Sequence, residues 1–121
     1  MSVQITDISE GIITLIITGI LKQSDMAAAQ KQAVGIIDKQ GNVRLLAILE
    51  NFEGWESGAD WNDFDFQLSH GDEITRIAIV AEPRWESNVL AFSGAGFRKA
   101  PVKFFPAPQL AQARAWLKEN M

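Results

Sequence analysis

Three apolar runs constrain this chain more than any other feature: residues 12–18 (IITLIIT), 43–49 (VRLLAIL) and 74–81 (ITRIAIVA). They are rich in β-branched residues, which suit a pleated strand better than a helix. The run 43–49 is broken only by Arg44 and reads as a strand buried on both faces, as in a parallel sheet. None of the three is long enough to cross a bilayer: the longest uncharged stretches, 11–21 and 87–97, each have 11 residues, against about 20 for a spanning helix.

Between the runs the apolar period changes from strand-like to helical. Met26, Ala29, Ala33 and Ile37 lie near helical spacing. Ser24 reads as the N-cap of that helix, with Asp25 in its first turn, Lys39 in its last and Gly41 as its stop. A second helix is expected from Ser57, with Asp60 near its start. Trp61, Phe64 and Leu68 give its apolar side, Asp60, Asp63 and Gln67 a wetter one, and His70-Gly71 its end. Pro83 suits the first position of a third helix, striped by Trp85, Val89 and Phe92 and closed by Gly94-Ala95-Gly96. Residues 102–105 read as a short strand. Pro108 then opens a last helix, with Leu110, Ala113 and Leu117 on one face and Trp116 beside them.

At the start, residues 3–8 alternate apolar and polar, as an edge strand does. Ser9-Glu10-Gly11 would turn it into a hairpin with 12–18. Residues 19–23 and 51–56 read as loops. The element order is therefore ββαβαβαβα. It implies one α/β domain over residues 1–121, with a five-stranded, mostly parallel sheet, an antiparallel first strand and right-handed crossovers.

Composition narrows function by exclusion. The chain has 47% hydrophobic and 21% charged residues, which is globular and not disordered. It has no cysteine, so thiolate metal sites, disulfides and cysteine nucleophiles are ruled out. The net charge of −4 argues against nucleic acid, which demands clustered bases. The start Met1-Ser2-Val3-Gln4 lacks the basic stretch of a signal peptide, so a cytoplasmic protein without a membrane span is expected. Residues 45–73 hold eight acids and no Lys or Arg. They also hold Phe52, Trp55, Trp61, Phe64 and Phe66, five of the chain's eleven aromatics. Phe66 falls away from the Trp61–Leu68 stripe, so the second helix is apolar on two sides and must bury both. That second surface would meet the last helix or another subunit.

Parallel sheets place ligands outside the carboxyl ends of their strands. There this chain offers Lys22, Ser24, residues 51–57, Glu82, Arg84 and Trp85. Trp55 stands between two readings: an aromatic in a polar loop serves recognition, or it covers the sheet edge. Trp85 reads as core from its spacing to Val89 and Phe92, with recognition as the other reading. Glu53, Glu56 and Glu82 would form an acid–base pair only at a defined separation; acids beside a helix start otherwise serve its dipole. His70, the single histidine, lies at a helix end, where an imidazole is favourable without any catalytic role. Gly94-Ala95-Gly96 follows a helix, not a strand, and so fails the context of a dinucleotide loop. No catalytic residue, metal or cofactor is assigned.

The element order, with Glu50-Asn51-Phe52-Glu53-Gly54-Trp55, Trp61-Asn62-Asp63-Phe64, Ile77-Ala78-Ile79-Val80 before Arg84-Trp85, and Val102-Lys103-Phe104-Phe105 before Ala115-Trp116-Leu117, resembles the SpoIIAA-like proteins of the STAS and CRAL-TRIO group. The resemblance implies a non-enzymatic interaction or regulatory module. In the anti-sigma-factor-antagonist branch, the loop after the third strand resembles Asp-Ser-Ser-Gly, and its second serine is phosphorylated. Placed on this chain, that motif sets Asn51 at the aspartate, Phe52 at the first serine, Glu53 at the phospho-acceptor and Gly54 at the glycine. Only the glycine matches; a fixed carboxylate replaces the hydroxyl and imitates a phosphate with less charge. The CRAL-TRIO side of the resemblance implies, as the alternative, a domain for a small apolar ligand or lipid. The expected binding residues are Asn51, Phe52, Glu53, Gly54, Trp55, Phe66, Arg84 and Trp85, and the expected partner is a protein, with the chain itself a homodimer.

Overall fold

A computed structural model of the chain describes residues 2–57, 73–92 and 100–119. Strands β1 (Val3–Ser9) and β2 (Ile12–Leu21) lead into helix α1 (Gln23–Gln40). Then come β3 (Val43–Trp55), β4 (Ile74–Ala81), α2 (Glu86–Phe92), β5 (Val102–Pro106) and α3 (Leu110–Lys118). Single 3-10 turns, Pro83–Trp85 and Ala107–Gln109, precede α2 and α3. The five strands form one sheet in chain order, β1-β2-β3-β4-β5. The β1–β2 pair is antiparallel and the other three pairs are parallel, which is the expected α/β architecture. The body of the second predicted helix, with Trp61, Phe64, Phe66 and His70, lies outside the described residues, as does Gly94-Ala95-Gly96.

The apolar runs are buried on both faces because both faces carry helices. Ile13, Leu15 and Ile17 of β2 join Ala47, Leu49, Ile77 and Ile79 in one cluster, with Ala29 and Ile37 of α1 and Val89 of α2. On the opposite face Ile12, Leu46, Ala78, Val80 and Phe105 pack against Ala113 and Leu117 of α3. The topology accounts for this division. Each parallel connection steps one strand in the same direction, so right-handed crossovers put α1 and α2 on one side. Helix α3 follows β5 and packs on the other.

Two arginines hold α3 down. Arg44 and Arg76 are register partners on β3 and β4. Arg44 donates to the carbonyl oxygens of Leu117 and Glu119, the latter at 2.6 Å. Arg76 donates to the Trp116 carbonyl at 2.6 Å and lies 5.0 Å above the Trp116 ring. The last carbonyls of a helix have no partner within it and carry its negative dipole end, so this end offsets two adjacent like charges. Burial, and after it the Arg76 charge, hold Arg44 below the ordinary guanidinium value.

Three expectations are corrected. Residues 19–23 are not a loop: β2 continues to Leu21. Residues 51–55 are not a loop either: β3 continues through Phe52 and Gly54, both buried, to Trp55. Ser24 does not cap α1, which starts at Gln23 with Lys22 in the cap position and no side-chain cap bond there. The acids around it act instead. Glu56 accepts from the Gln23 amide at 3.4 Å. Asp25 accepts from the Ser2 amide at 2.8 Å and the Ser2 hydroxyl at 2.7 Å, tying β1 to α1. The Gly41 stop stands as expected, with its amide bonded to the Ile37 carbonyl. Among the described residues no helix is long and apolar enough to cross a membrane.

Candidate functional site

At the carboxyl ends of β2 and β3 the regular ladder breaks twice. Thr18 pairs with Glu50, Gly19 with Phe52, Ile20 with Gly54 and Leu21 with Trp55. Two residues of β3, Asn51 and Glu53, are therefore skipped by the pairing. Such bulges re-aim side chains and concentrate near functional sites. The backbone shows the cost. Asn51 has φ 51°, Gly19 φ 63° and Gly54 φ 118°, three residues in or near the left-handed region within one patch. Glycine meets that demand at two of them without a Cβ penalty, and asparagine tolerates it at the third.

The bulges separate neighbours in sequence. Phe52 is 2% exposed, while Asn51 and Glu53 on either side of it are exposed. The Phe52 ring is the hub of an aromatic trio. Its centroid lies 5.0 Å from Trp55 and 4.9 Å from Trp85, and the two tryptophans are 6.0 Å apart, all with steep interplanar angles. Edge-to-face pairs of this kind add about 0.5–1.5 kcal/mol each beyond their burial. A Cβ on Gly54 would meet the Trp85 ring at 3.7 Å, an ordinary contact, so it is the φ of 118° that calls for glycine there.

Around this wedge the polar groups are arranged in pairs. Arg84 lies 5.1 Å over the Trp85 ring and 3.5 Å from the Glu82 carboxylate, with both side chains more than half exposed. Glu56 is committed to the start of α1, its own amide bonding the Leu21 carbonyl at 2.9 Å. The Glu53 carboxylate stands beside Gly19, 3.6 Å from where a Cβ would be. The Trp85 indole nitrogen is buried without an acceptor among the described residues.

Asn51, Glu53, Gly54, Trp55, Arg84 and Trp85 thus gather on one rim. Phe52 belongs to the core: it supports the rim and is not available for direct contact, which corrects its expected role. Phe66 lies outside the described residues. Trp85 sits in the 3-10 turn ahead of α2 and packs on the core, as does Trp55. Among the described residues no group of three or more His, Cys, Asp or Glu side chains is placed to hold a metal ion. Sequence reasoning missed Gly19 and Ile20, although a glycine inside an apolar strand pattern is itself a bulge signal.

A family model described as SpoIIAA-like matches residues 12–118. The chain belongs to the SpoIIAA-like family. A crystal structure of an uncharacterized protein with a SpoIIAA-like fold from Shewanella loihica PV-4 is similar to it, with a TM-score of 0.71 and 19% sequence identity. That similarity covers 95% of this chain and 91% of the other, and it carries the fold alone. No curated protein matches. The SpoIIAA-like match includes β2 and β3 in full, and with them the double bulge.

Proposed function

We propose that this SpoIIAA-like chain is a non-enzymatic interaction or regulatory module of the STAS type, acting in the cytoplasm as a homodimer. The observation that carries the reading is the double bulge. It displays Asn51, itself in the left-handed region, and Glu53 beside the aromatic trio, and such conformations cluster at functional sites. Glu53 stands where the resemblance puts the phospho-acceptor of the antagonist branch. Its carboxylate gives the rim a permanent negative charge and no kinase-dependent off state.

Affinity purification from the source cells tests this, with wild type, Glu53→Gln and Glu53→Lys as baits. A protein partner retained by wild type, weakened by Glu53→Gln and lost with Glu53→Lys is expected. Capture of no partner by any of the three overturns the reading.

A second reading has one observation in its favour, the buried Trp85 indole N–H with no acceptor among the described residues. A small, mostly apolar ligand with a single acceptor atom would satisfy it, since a buried donor left unpaired costs about 1–3 kcal/mol. Native mass spectrometry of protein from cells, followed by solvent extraction, decides: an apo mass with nothing extracted removes this reading.

A further inference from the structure

Among the described residues, α3 takes up only part of the sheet face on which it packs. Five strands about 4.8 Å apart span roughly 19 Å between the outer two, and a helix with its side chains is about 10 Å across. Helix α3 packs on β3, β4 and β5. Its last turn reaches toward the β1–β2 turn, where Lys118 meets Glu10 at 3.1 Å, and Ile12 at the start of β2 joins its cluster. From Ile16 onward the described side chains on this face are less covered. Ile16 and its register partner Ile48 are only half-buried, Thr18 and Glu50 beyond them are exposed, and Ile20 is 51% exposed. Ile20 and Ile8 are the large apolar residues left exposed among those described.

The rim of this lane is acidic. Glu50 closes its β3 side, and the exposed Glu53 carboxylate stands beside Gly19 at the strand ends. A two-fold pairing of this lane with the same lane of a second copy would bring like carboxylates together, which costs rather than stabilises. A helix with an apolar stripe and basic flanks complements both the strip and its rim.

We infer that the lane along Ile16, Ile48 and Ile20 is a docking site for an amphipathic helix of a partner protein, its basic flank facing Glu50 and Glu53. This rests on the reading of the chain as an interaction module and names the chemistry of the partner. The bulge then has a second use: it leaves an exposed carboxylate at the strand ends to select the partner by charge.

The test titrates the full-length, isotope-labelled chain with a synthetic helical peptide of about 14 residues bearing a Leu/Ala stripe flanked by Lys. A peptide with the same stripe flanked by Glu is the control. Amide shifts centred on residues 16–20 and 48–50 are expected with the Lys peptide. Binding should weaken roughly tenfold on Glu50→Lys/Glu53→Lys, with preference moving to the Glu peptide. Ile20→Lys, at an exposed position, should abolish binding and leave the rest of the spectrum unchanged. Equal binding of both peptides, or shifts centred elsewhere, overturns the inference. So does a wild type whose self-association is lost with Ile20→Lys, since the occupant is then a second copy. If a cellular partner is captured but is indifferent to Ile20→Lys, the docking lane fails while the interaction module stands.

Discussion

Phe52 and Glu53 are adjacent in sequence and opposite in fate. Truncating the buried Phe52 ring removes the hub of the aromatic trio, and Phe→Ala in a core costs about 3–5 kcal/mol. Glu53→Ser changes an exposed bulge residue and should leave stability within about 0.5 kcal/mol. Denaturant unfolding of the two variants should separate them by that margin; equal losses would place Glu53 in the packing. Gly19→Ala forces a Cβ into the left-handed region and should cost about 1–2 kcal/mol, read from the same curves. The difference between Phe52 and Glu53 was hidden in the sequence for a physical reason. Asn, Glu and Gly are depleted in strands, so residues 51–54 looked like a loop. What keeps them in the sheet is non-local: pairing with Gly19 and Ile20 across two bulges.

At the scale of elements, α3 is held by charge as much as by its apolar face. Arg44 and Arg76 each bond helix-terminal carbonyls, and hydrogen bonds from charged groups contribute about 1.5–3 kcal/mol. Arg44→Met and Arg76→Met should each destabilise by an amount in that range. The double variant should cost more than the sum, because each single change already relieves the one repulsion between the arginines and the sum counts that relief twice; a strictly additive cycle would refute the coupling. The β1–α1 tie depends on pH. The Ser2 amide, and after it the Ser2 hydroxyl, hold the Asp25 carboxyl below its ordinary value. A carboxylate lowered in this way stabilises the fold above its unfolded value and loses that contribution as pH falls through the folded one. Asp25→Asn should therefore flatten part of the acid limb of the stability–pH curve and leave neutral-to-basic behaviour parallel to wild type. An unchanged acid limb would show that the tie is not formed in solution. The helix itself was legible from Met26, Ala29, Ala33 and Ile37. Its cap was not, because the groups that serve its first turn come from Glu56, 33 residues away in sequence.

For the molecule as a whole, topology was the most legible level. Apolar runs separated by helical periods specify a parallel sheet, and the right-handed rule leaves few ways to connect it. Register was not legible, since both faces of β3 and β4 are apolar and alternation marks neither. The homodimer proposed above makes a direct prediction. Light scattering on eluting wild type should give twice the chain mass, and Phe66→Asp should give the single chain; a monomeric wild type ends that part of the proposal.

Strand order that follows chain order also bears on how the molecule is made. Each strand pairs only with the strand just before or after it, so a growing chain can extend the sheet one strand at a time as it leaves the ribosome. Contacts between sequence neighbours of this kind favour rapid folding, and synthesis from the N-terminus delivers them in the right order. Helix α3 is the exception. It returns to Arg44 and Arg76 across 73 and 40 residues of chain, and until it arrives the two arginines sit side by side with no carbonyls to receive them. Docking of α3 is thus the step that relieves the sheet's built-in repulsion, and it waits on chain made well after β3 and β4.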